Sequence, residues 1–334
     1  MRFIYFFILV TFVLHAQENP SPQQIQSELN QADAKYKRAK KMFNPWYTGP
    51  LITPSASMMP LGQGNIQPYL FFGGAYARFN KDRRSISLPH NVYSMQVTSG
   101  VFMGITKSVD LIITPSATVN WQKDLAGENH SGGGFNDITA SLGFLITPET
   151  LYVPAMKFSI IETFPTGKYK KLSLNGQGLN STGGGTYQTQ FGFAISKVIW
   201  WMYRHPMNLR AFVGYTLETT VHVDDFNTYG GALRTHGKVR PGKTFTSDLG
   251  IEWSFTERWV AALDVVYVAQ NKTRFHGTTV APVGGGYNDN LSLAPAIEYN
   301  WNENLGILWG VQFSVYGRNS LNFAKGQFSV TYTF

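Results

Sequence analysis

Residues 321–334 read Leu-Asn-Phe-Ala-Lys-Gly-Gln-Phe-Ser-Val-Thr-Tyr-Thr-Phe. Toward the end, Phe328, Val330, Tyr332 and Phe334 alternate with Gln327, Ser329, Thr331 and Thr333. A period of two gives a strand one apolar and one polar face. A soluble sheet can show the same alternation, so its meaning depends on the rest of the chain.

Charged residues make up 14% of the 334 positions and aromatics 15%, with 33 Gly and no Cys. Soluble domains carry about 25% charged residues. Beyond the N-terminus, no run reaches the roughly 18 apolar residues that a spanning helix requires. Few charges with many Gly and aromatics suit a transmembrane β-barrel, whose signal is weak in each segment. On such a chain the final aromatic resembles the terminal signal by which bacterial outer-membrane barrels are recognised for assembly. The lack of Cys leaves the redox compartment open.

Residues 1–16 read as a secretory signal peptide: Arg2, an apolar core from Phe3 to Leu14, then His15-Ala16. Residues 17–64 read as a periplasmic arm. Ser21, Pro22 and Gln24 form a helix start with a capping box. Ile25, Leu29, Ala32, Tyr36, Ala39 and Phe43 follow at spacings of four and three, so a helix over about 22–43 is expected. Trp46–Gly64, rich in Pro and Gly, reads as irregular. Within it, Ile52-Thr53-Pro54-Ser55-Ala56 recurs identically as Ile113-Thr114-Pro115-Ser116-Ala117. One such repeat establishes no repeat architecture.

From Asn65 onward twelve segments have strand character: 65–79, 92–105, 109–121, 136–147, 155–165, 186–198, 208–223, 244–256, 258–271, 290–301, 304–317 and 321–334. Each is long enough to cross a bilayer as a tilted strand. Links such as 106–108, Glu257 and 302–303 are short, whereas 80–91, 122–135, 166–185, 224–243 and 272–289 are long and polar. Outer-membrane barrels alternate tight periplasmic turns with long external loops in this way. Pro68 and the pair Ile160-Ile161 suggest a bulge or register change in their strands. The expectation is an all-β fold: a twelve-stranded antiparallel transmembrane β-barrel over 65–334, in the outer membrane, with an N-terminal periplasmic helix and arm.

Parity then sorts the strands' side chains. Leu291, Leu293 and Ile297, or Ile307, Trp309 and Val311, face lipid, while Ser292, Gly310 and Gln312 face the lumen. The same parity turns Asp110, Asp248, Glu252, Asp264 and Glu298 inward, with Lys157 and Arg210 as the cations near them. Confined carboxylates repel unless paired or solvated. The basic end of the arm helix, Lys37, Arg38, Lys40 and Lys41, lies on the same side of the membrane. The expectation is that the arm docks at or inside the periplasmic mouth, its cations against these acids and its aromatics as a partial plug, with a free, solvated tail as the alternative.

Thr48-Gly49-Pro50-Leu51-Ile52-Thr53-Pro54-Ser55, followed by Asn65-Ile66-Gln67-Pro68-Tyr69-Leu70-Phe71, resembles the start of the bacterial barrel family labelled for the meta-pathway of phenol degradation. The resemblance implies an outer-membrane transporter. Its motifs are structural, so it implies no substrate-binding residues.

Chemical motifs are sparse. No His-x-Ser pair of the barrel-lipase kind occurs, and His222-Val223-Asp224 is the nearest to a protease-like His-Asp pair. The histidines lack metal-ligand spacing. Gly132–Gly134, Gly183–Gly185 and Gly284–Gly286 read as loop tips, not phosphate loops. No enzyme, catalytic residue, metal or cofactor is expected. The net charge of +8 is concentrated in external clusters (Lys81, Arg83, Arg84; Lys168, Lys170, Lys171; Arg234, Lys238, Arg240, Lys243). Basic loops suit the phosphates of lipopolysaccharide, and export excludes nucleic acid as partner. Expected partners are outer-membrane lipid and lipopolysaccharide, the barrel-assembly machinery and a small-molecule solute. The leading function is passive passage of small solutes, aromatic or apolar compounds among them. A structural or adhesive surface protein is the alternative, and a barrel hydrolase stands further behind.

Overall fold

The computed structural model describes residues 21–42, 47, 51–200 and 205–334; the side chains of Pro22 and of residues 35–42 are outside it. The signal peptide expected over 1–16 lies outside the described residues. Two compact units divide the chain after Met42. The first holds helix α1, Pro22–Met42. Its start is a reciprocal capping box: Gln24 N donates to Ser21 Oγ at 3.2 Å, and Ser21 N donates to Gln24 Oε1 at 2.8 Å.

The second unit is all β: β1 (Gly64–Phe79), β2 (Ser85–Gly104), β3 (Val109–Thr114), β4 (Ser116–Lys123), β5 (Asn129–Phe135), β6 (Ile138–Thr147), β7 (Ala155–Phe164), β8 (Gln188–Ile199), β9 (Met207–Glu218), β10 (Val221–Asp224), β11 (His236–Arg240), β12 (Thr244–Ser254), β13 (Trp259–Gln270), β14 (Arg274–Thr278), β15 (Asn288–Asn300), β16 (Leu305–Arg318) and β17 (Leu321–Thr333). All pairings between these strands are antiparallel, and β1 pairs with both β2 and β17, which closes the sheet. β3 with β4, and β5 with β6, are successive pieces of one wall strand each, so the wall has twelve strands. The remaining three, β10, β11 and β14, form a separate small sheet beyond the long-loop end of the wall.

The last strand behaves as its alternation requires. Phe328 and Tyr332 are exposed, while Gln327, Ser329 and Thr331 are buried inside the barrel. Gly64 and Phe334 exchange backbone hydrogen bonds, each N–H donating to the other's carbonyl at 2.9 Å. Closure leaves no unpaired edge, which is what a sheet in lipid needs. Rings cluster at two levels of the outer surface. Trp253–Phe255, Trp259–Tyr299 and Tyr299–Trp301 pack with centroids 4.4, 4.6 and 4.9 Å apart at the end holding the short turns. Trp121 with Phe72 and Tyr93, and Phe164 with Tyr187, stand toward the other end. An apolar outer surface between two aromatic girdles is that of an outer-membrane barrel.

Three local expectations differ from what forms. Pro68 causes no register change: Ile66 pairs with Tyr332 and Tyr69 with Ser329 in one register, and only the pairing around Pro68, which has no N–H to give, is missing. Ile160 and Ile161 pair regularly with Leu142 and Ser141. The register shifts fall instead between Ala75 and Ala77, between Leu145 and Thr147 and between Leu291 and Ser292. Gly132–Gly134 are not a loop tip but part of β5, opposite Asn120, Val119 and Thr118. There the link between β7 and β8 comes so close that a Cβ on Gly132 would stand 2.6 Å from Asn180 N.

Candidate functional site

Alternation puts the polar half of each strand inside the barrel, and the register between strands sets these residues level. One inward row reads Ser196, Arg210, Gly250, Asp264 and Ala294 across β8, β9, β12, β13 and β15. The next row toward the short-turn end carries Asn208, Glu252, Ala262 and Ala296. Arg210 Nη2 lies 2.5 Å from Glu252 Oε2, to which Asn208 Nδ2 also donates at 2.7 Å. Lys157 Nζ lies 3.3 Å from Asp110 Oδ2. All seven charged residues expected to turn inward, Asp110, Lys157, Arg210, Asp248, Glu252, Asp264 and Glu298, are buried on the inner wall, at most 6% exposed. That sets five carboxylates against two cations.

A stretch of the chain itself crosses between these groups. Residues 51–63 precede β1 and run inside the periplasmic half of the barrel. Leu51 packs on Ala262, Ala294, Ala296 and Leu308 of the inner wall. Ile52 N and Thr53 N each donate to Asp264 at 3.2 Å, and Thr53 Oγ1 donates to Asp264 Oδ1 at 2.5 Å. Further along, Ala56 N donates to Ser196 Oγ at 2.9 Å and packs on Ala155, Ala194 and Phe212. Lys157 Nζ donates to Ser57 O at 3.1 Å. The segment then leaves beside Gly104, pairing there through Leu61, and enters β1. It therefore touches β13, β15 and β16 at one side and β7 and β8 at the other.

Small inward residues make the bed for this crossing. Gly250 stands between Arg210 and Asp264 in its row, and a Cβ there would meet Thr53 at 3.1 Å. Burying Leu51 contributes about 1.5–3 kcal/mol. Each hydrogen bond from Thr53 or Ile52 to the Asp264 carboxylate contributes about 1.5–3 kcal/mol. The segment is thus pinned by both apolar and polar contacts, and Asp264 is its main acceptor.

Docking was expected through Lys37, Arg38, Lys40 and Lys41, whose side chains lie outside the described residues. The described contacts come from Tyr47, whose hydroxyl donates to Pro206 O at 3.3 Å and accepts from Ser254 Oγ at 3.2 Å, and from Leu51–Ser57, through backbone amides, the Thr53 hydroxyl, the Ser57 carbonyl and apolar groups. None of these residues shows a local pattern that announces an interior position. The Ala and Gly at inward positions 250, 262, 294, 296 and 310 are the one signal that could have found the crossing, since they leave room on a wall of otherwise larger side chains.

Above the crossing the lumen is lined by amides, hydroxyls and rings. Gln312 Nε2 donates to Ser292 Oγ at 2.8 Å, and Gln327 Nε2 to Gln312 Oε1 at 3.3 Å. Tyr69 and Phe71 stack at 5.6 Å. Lys325, an inward cation that the sequence reading missed, sits 5.2 Å from the Phe71 ring centre and 5.6 Å from that of Phe323. Arg210 Nε and Nη1, Asp248 Oδ1 and Gln327 Oε1 are buried with no hydrogen-bond partner among the described residues. Buried polar groups are almost always satisfied, so a wall carrying these atoms suits a solvated lumen.

At the outer end, the site residues weighed for chemistry have structural partners. Asp224 pairs with His236 at 2.8 Å and Lys170 at 3.2 Å, and His236, then Lys170, hold its carboxyl below the usual carboxylate range. His222 shares the face of Asp224, with its ring 6.1 Å from that of His236. The turn after β4 brings Asp124, Glu128 and His130 within 4.8 Å of one another, a grouping their sequence spacing did not suggest. Asp124 is accounted for by that turn. One oxygen accepts from Ala126 N and Glu128 N, and the other meets His130 Nε2 at 2.9 Å.

No family model matches the chain, and no curated protein does. Solved structures do. The chain is similar to an outer membrane channel from Pseudomonas putida F1, with a TM-score of 0.64 and 11% identity over 85% of this chain and 100% of that one. It is also similar to the translocator domain of the autotransporter NalP from Neisseria meningitidis, with a TM-score of 0.47 and 11% identity over 93% and 98% of the two chains. For a mutant of the TodX monoaromatic hydrocarbon channel the TM-score is 0.38 at 10% identity, over 82% and 90%. The first likeness carries the fold: this chain is an outer-membrane β-barrel, as its strand and loop pattern leads one to expect.

Proposed function

We propose that the protein is a passive outer-membrane channel for small solutes, with residues 51–57 as a constriction inside it. The observation that carries this is the inner wall itself. A barrel serving only as a support for surface loops needs nothing inside but packed side chains, as in eight-stranded barrels. This one commits Asp264, Ser196 and Lys157 to holding a separate strip of chain, and leaves further polar atoms facing the lumen. Above the strip, amides and hydroxyls alternate with the rings of Tyr69, Phe71 and Phe323, a lining suited to small amphipathic solutes, aromatic compounds included. The P. putida structure is described as a channel, which agrees with this reading. The adhesive alternative gains no specific support. Among the described residues, no nucleophile joins the His-Asp contacts at the rim, so hydrolysis gains none.

Proteoliposomes test the proposal. Those holding the full chain should pass small phenolic and alcoholic solutes faster than trisaccharides, and deletion of residues 51–57 should narrow that difference. Liposomes no more permeable than protein-free ones, with the deletion variant folded and equally impermeable, would remove the channel reading.

A further inference from the structure

Beyond the wall strands, β10, β11 and β14 form a sheet with two unlike faces. One face is apolar: Val221, Val223 and Val239 are buried beneath Tyr169, Tyr229 and Val283. The other is exposed, and register sets its residues in rows. Arg240 stands directly opposite Arg274. Lys238 stands between His222 on one side and His276 on the other. Asp224 is the sole acid in the three strands, and His236 and Lys170 already occupy it.

Like charges directly opposite one another on a sheet are destabilising. Some outer cations are neutralised or stacked. Arg83 forms a two-pronged pair with Asp289, at 2.6 and 2.8 Å, and Lys243 lies over Tyr215. Lys238, Arg240 and Arg274 have neither kind of partner among the described residues. Folding alone gives no reason to line up these three cations, and a local conflict of this kind points to a site with an outside partner.

Position says what that partner is. β10 follows β9 after two residues, β11 precedes β12 by three, and β14 follows β13 by three. The Arg240–Arg274 row therefore stands on the order of 10 Å beyond the wall strands. Just below it, Tyr215, Leu217 and Phe245 are exposed on the lipid-facing wall. A row at that height reaches the headgroup layer of the outer leaflet, where a cation near an anionic surface is favoured. We propose that the exposed face of β10–β11–β14 binds the phosphate groups of an outer-leaflet phosphoglycolipid, with Arg240 and Arg274 clamping phosphate and Lys238 beside them. Arg is suited to this because its planar fork meets phosphate oxygens with paired hydrogen bonds.

The test uses the full chain in detergent, titrated with bis-phosphorylated lipid A and read by native mass spectrometry. Wild type should bind it at least ten-fold more tightly than Lys238→Gln/Arg240→Gln/Arg274→Gln. Dephosphorylated lipid A should bind wild type no better than the triple variant binds lipid A. A Lys107→Gln/Arg258→Gln control, in two short turns at the opposite end of the barrel, should match wild type. Equal affinity of wild type and triple variant, or indifference to the phosphates, would overturn the proposal. A soluble polyphosphate bound as tightly as lipid A would overturn the lipid as occupant. Should the triple variant fail to show the heat-modifiable mobility of a folded barrel, the single Arg274→Gln decides by melting. Without lipid A it should melt above wild type, because a like-charge pair is relieved. With lipid A it should melt below. No reversal of sign would count against the site.

Discussion

The same five residues occur twice in this protein and do two different things. Ile52–Ala56 crosses the lumen, with Thr53 and Ala56 fully buried and Asp264 and Ser196 holding their backbone amides. Ile113–Ala117 is wall. Ile113 pairs with Val101 and Ala140 and is exposed on the lipid side, and Pro115 separates β3 from β4, its carbonyl accepting from Ser99 N at 3.1 Å. Local preference is shared, so the difference comes from what lies beside each copy. The wall copy has neighbouring strands on both sides to take up its backbone groups. The lumen copy has none and uses a carboxylate and a hydroxyl instead. Strand formation is more a matter of partners than of intrinsic tendency.

Removing both copies in turn should separate these roles most strongly. Deletion of 52–56 should leave the heat-modifiable mobility of the folded barrel intact and raise single-channel conductance several-fold. It should also shift selectivity toward cations by exposing Asp264, and high salt should diminish that shift. Deletion of 113–117 removes an odd number of residues and turns the remainder of the strand inside out, so no folded barrel should be recovered. A milder version substitutes the same residue. Ile113→Arg should cost about 2–4 kcal/mol of stability in a denaturant titration if it faces the bilayer midplane. Ile52→Arg loses packing against the Leu51 cluster but puts no charge in lipid, so it should cost clearly less than Ile113→Arg in the same titration.

Smaller still is Asp264→Asn, which weakens the hydrogen bonds to Ile52 and Thr53 without touching the wall's ladder. Bilayer recordings should show more frequent excursions to the conductance of the 52–56 deletion, with the heat-modifiable mobility of the folded barrel retained. The smallest expected effect is at the wall copy: Pro115→Val restores an N–H and should move stability by no more than about 0.5 kcal/mol.

The barrel was legible because its rules act within single strands. Alternation in residues 321–334 and the contrast between a three-residue turn at 106–108 and long outer links are properties of neighbouring residues, and they survive without knowledge of any contact. The inward placement of Asp264 and Arg210 followed from the same parity. The crossing was not legible. Thr53 is recognisable as buried only when Asp264, 211 residues later, stands opposite it. The outer sheet was hidden for a similar reason. β10, β11 and β14 are four or five residues each, and Arg240 becomes a neighbour of Arg274 only through pairing across the long outer links.

The crossing at residues 51–57 is tested most directly by a disulfide, in a chain that has no Cys of its own. A Cβ at position 250 would lie 3.1 Å from that of Thr53, a few tenths of an ångström short of the usual span of about 3.5–4.5 Å. Thr53→Cys with Gly250→Cys should therefore form an intramolecular bond in the folded barrel, seen as a reductant-sensitive change in mobility on a denaturing gel. Thr114→Cys with Gly250→Cys should form none. Free thiols in the folded Thr53→Cys/Gly250→Cys protein, or equal bonding in both pairs, would contradict a segment held across the lumen.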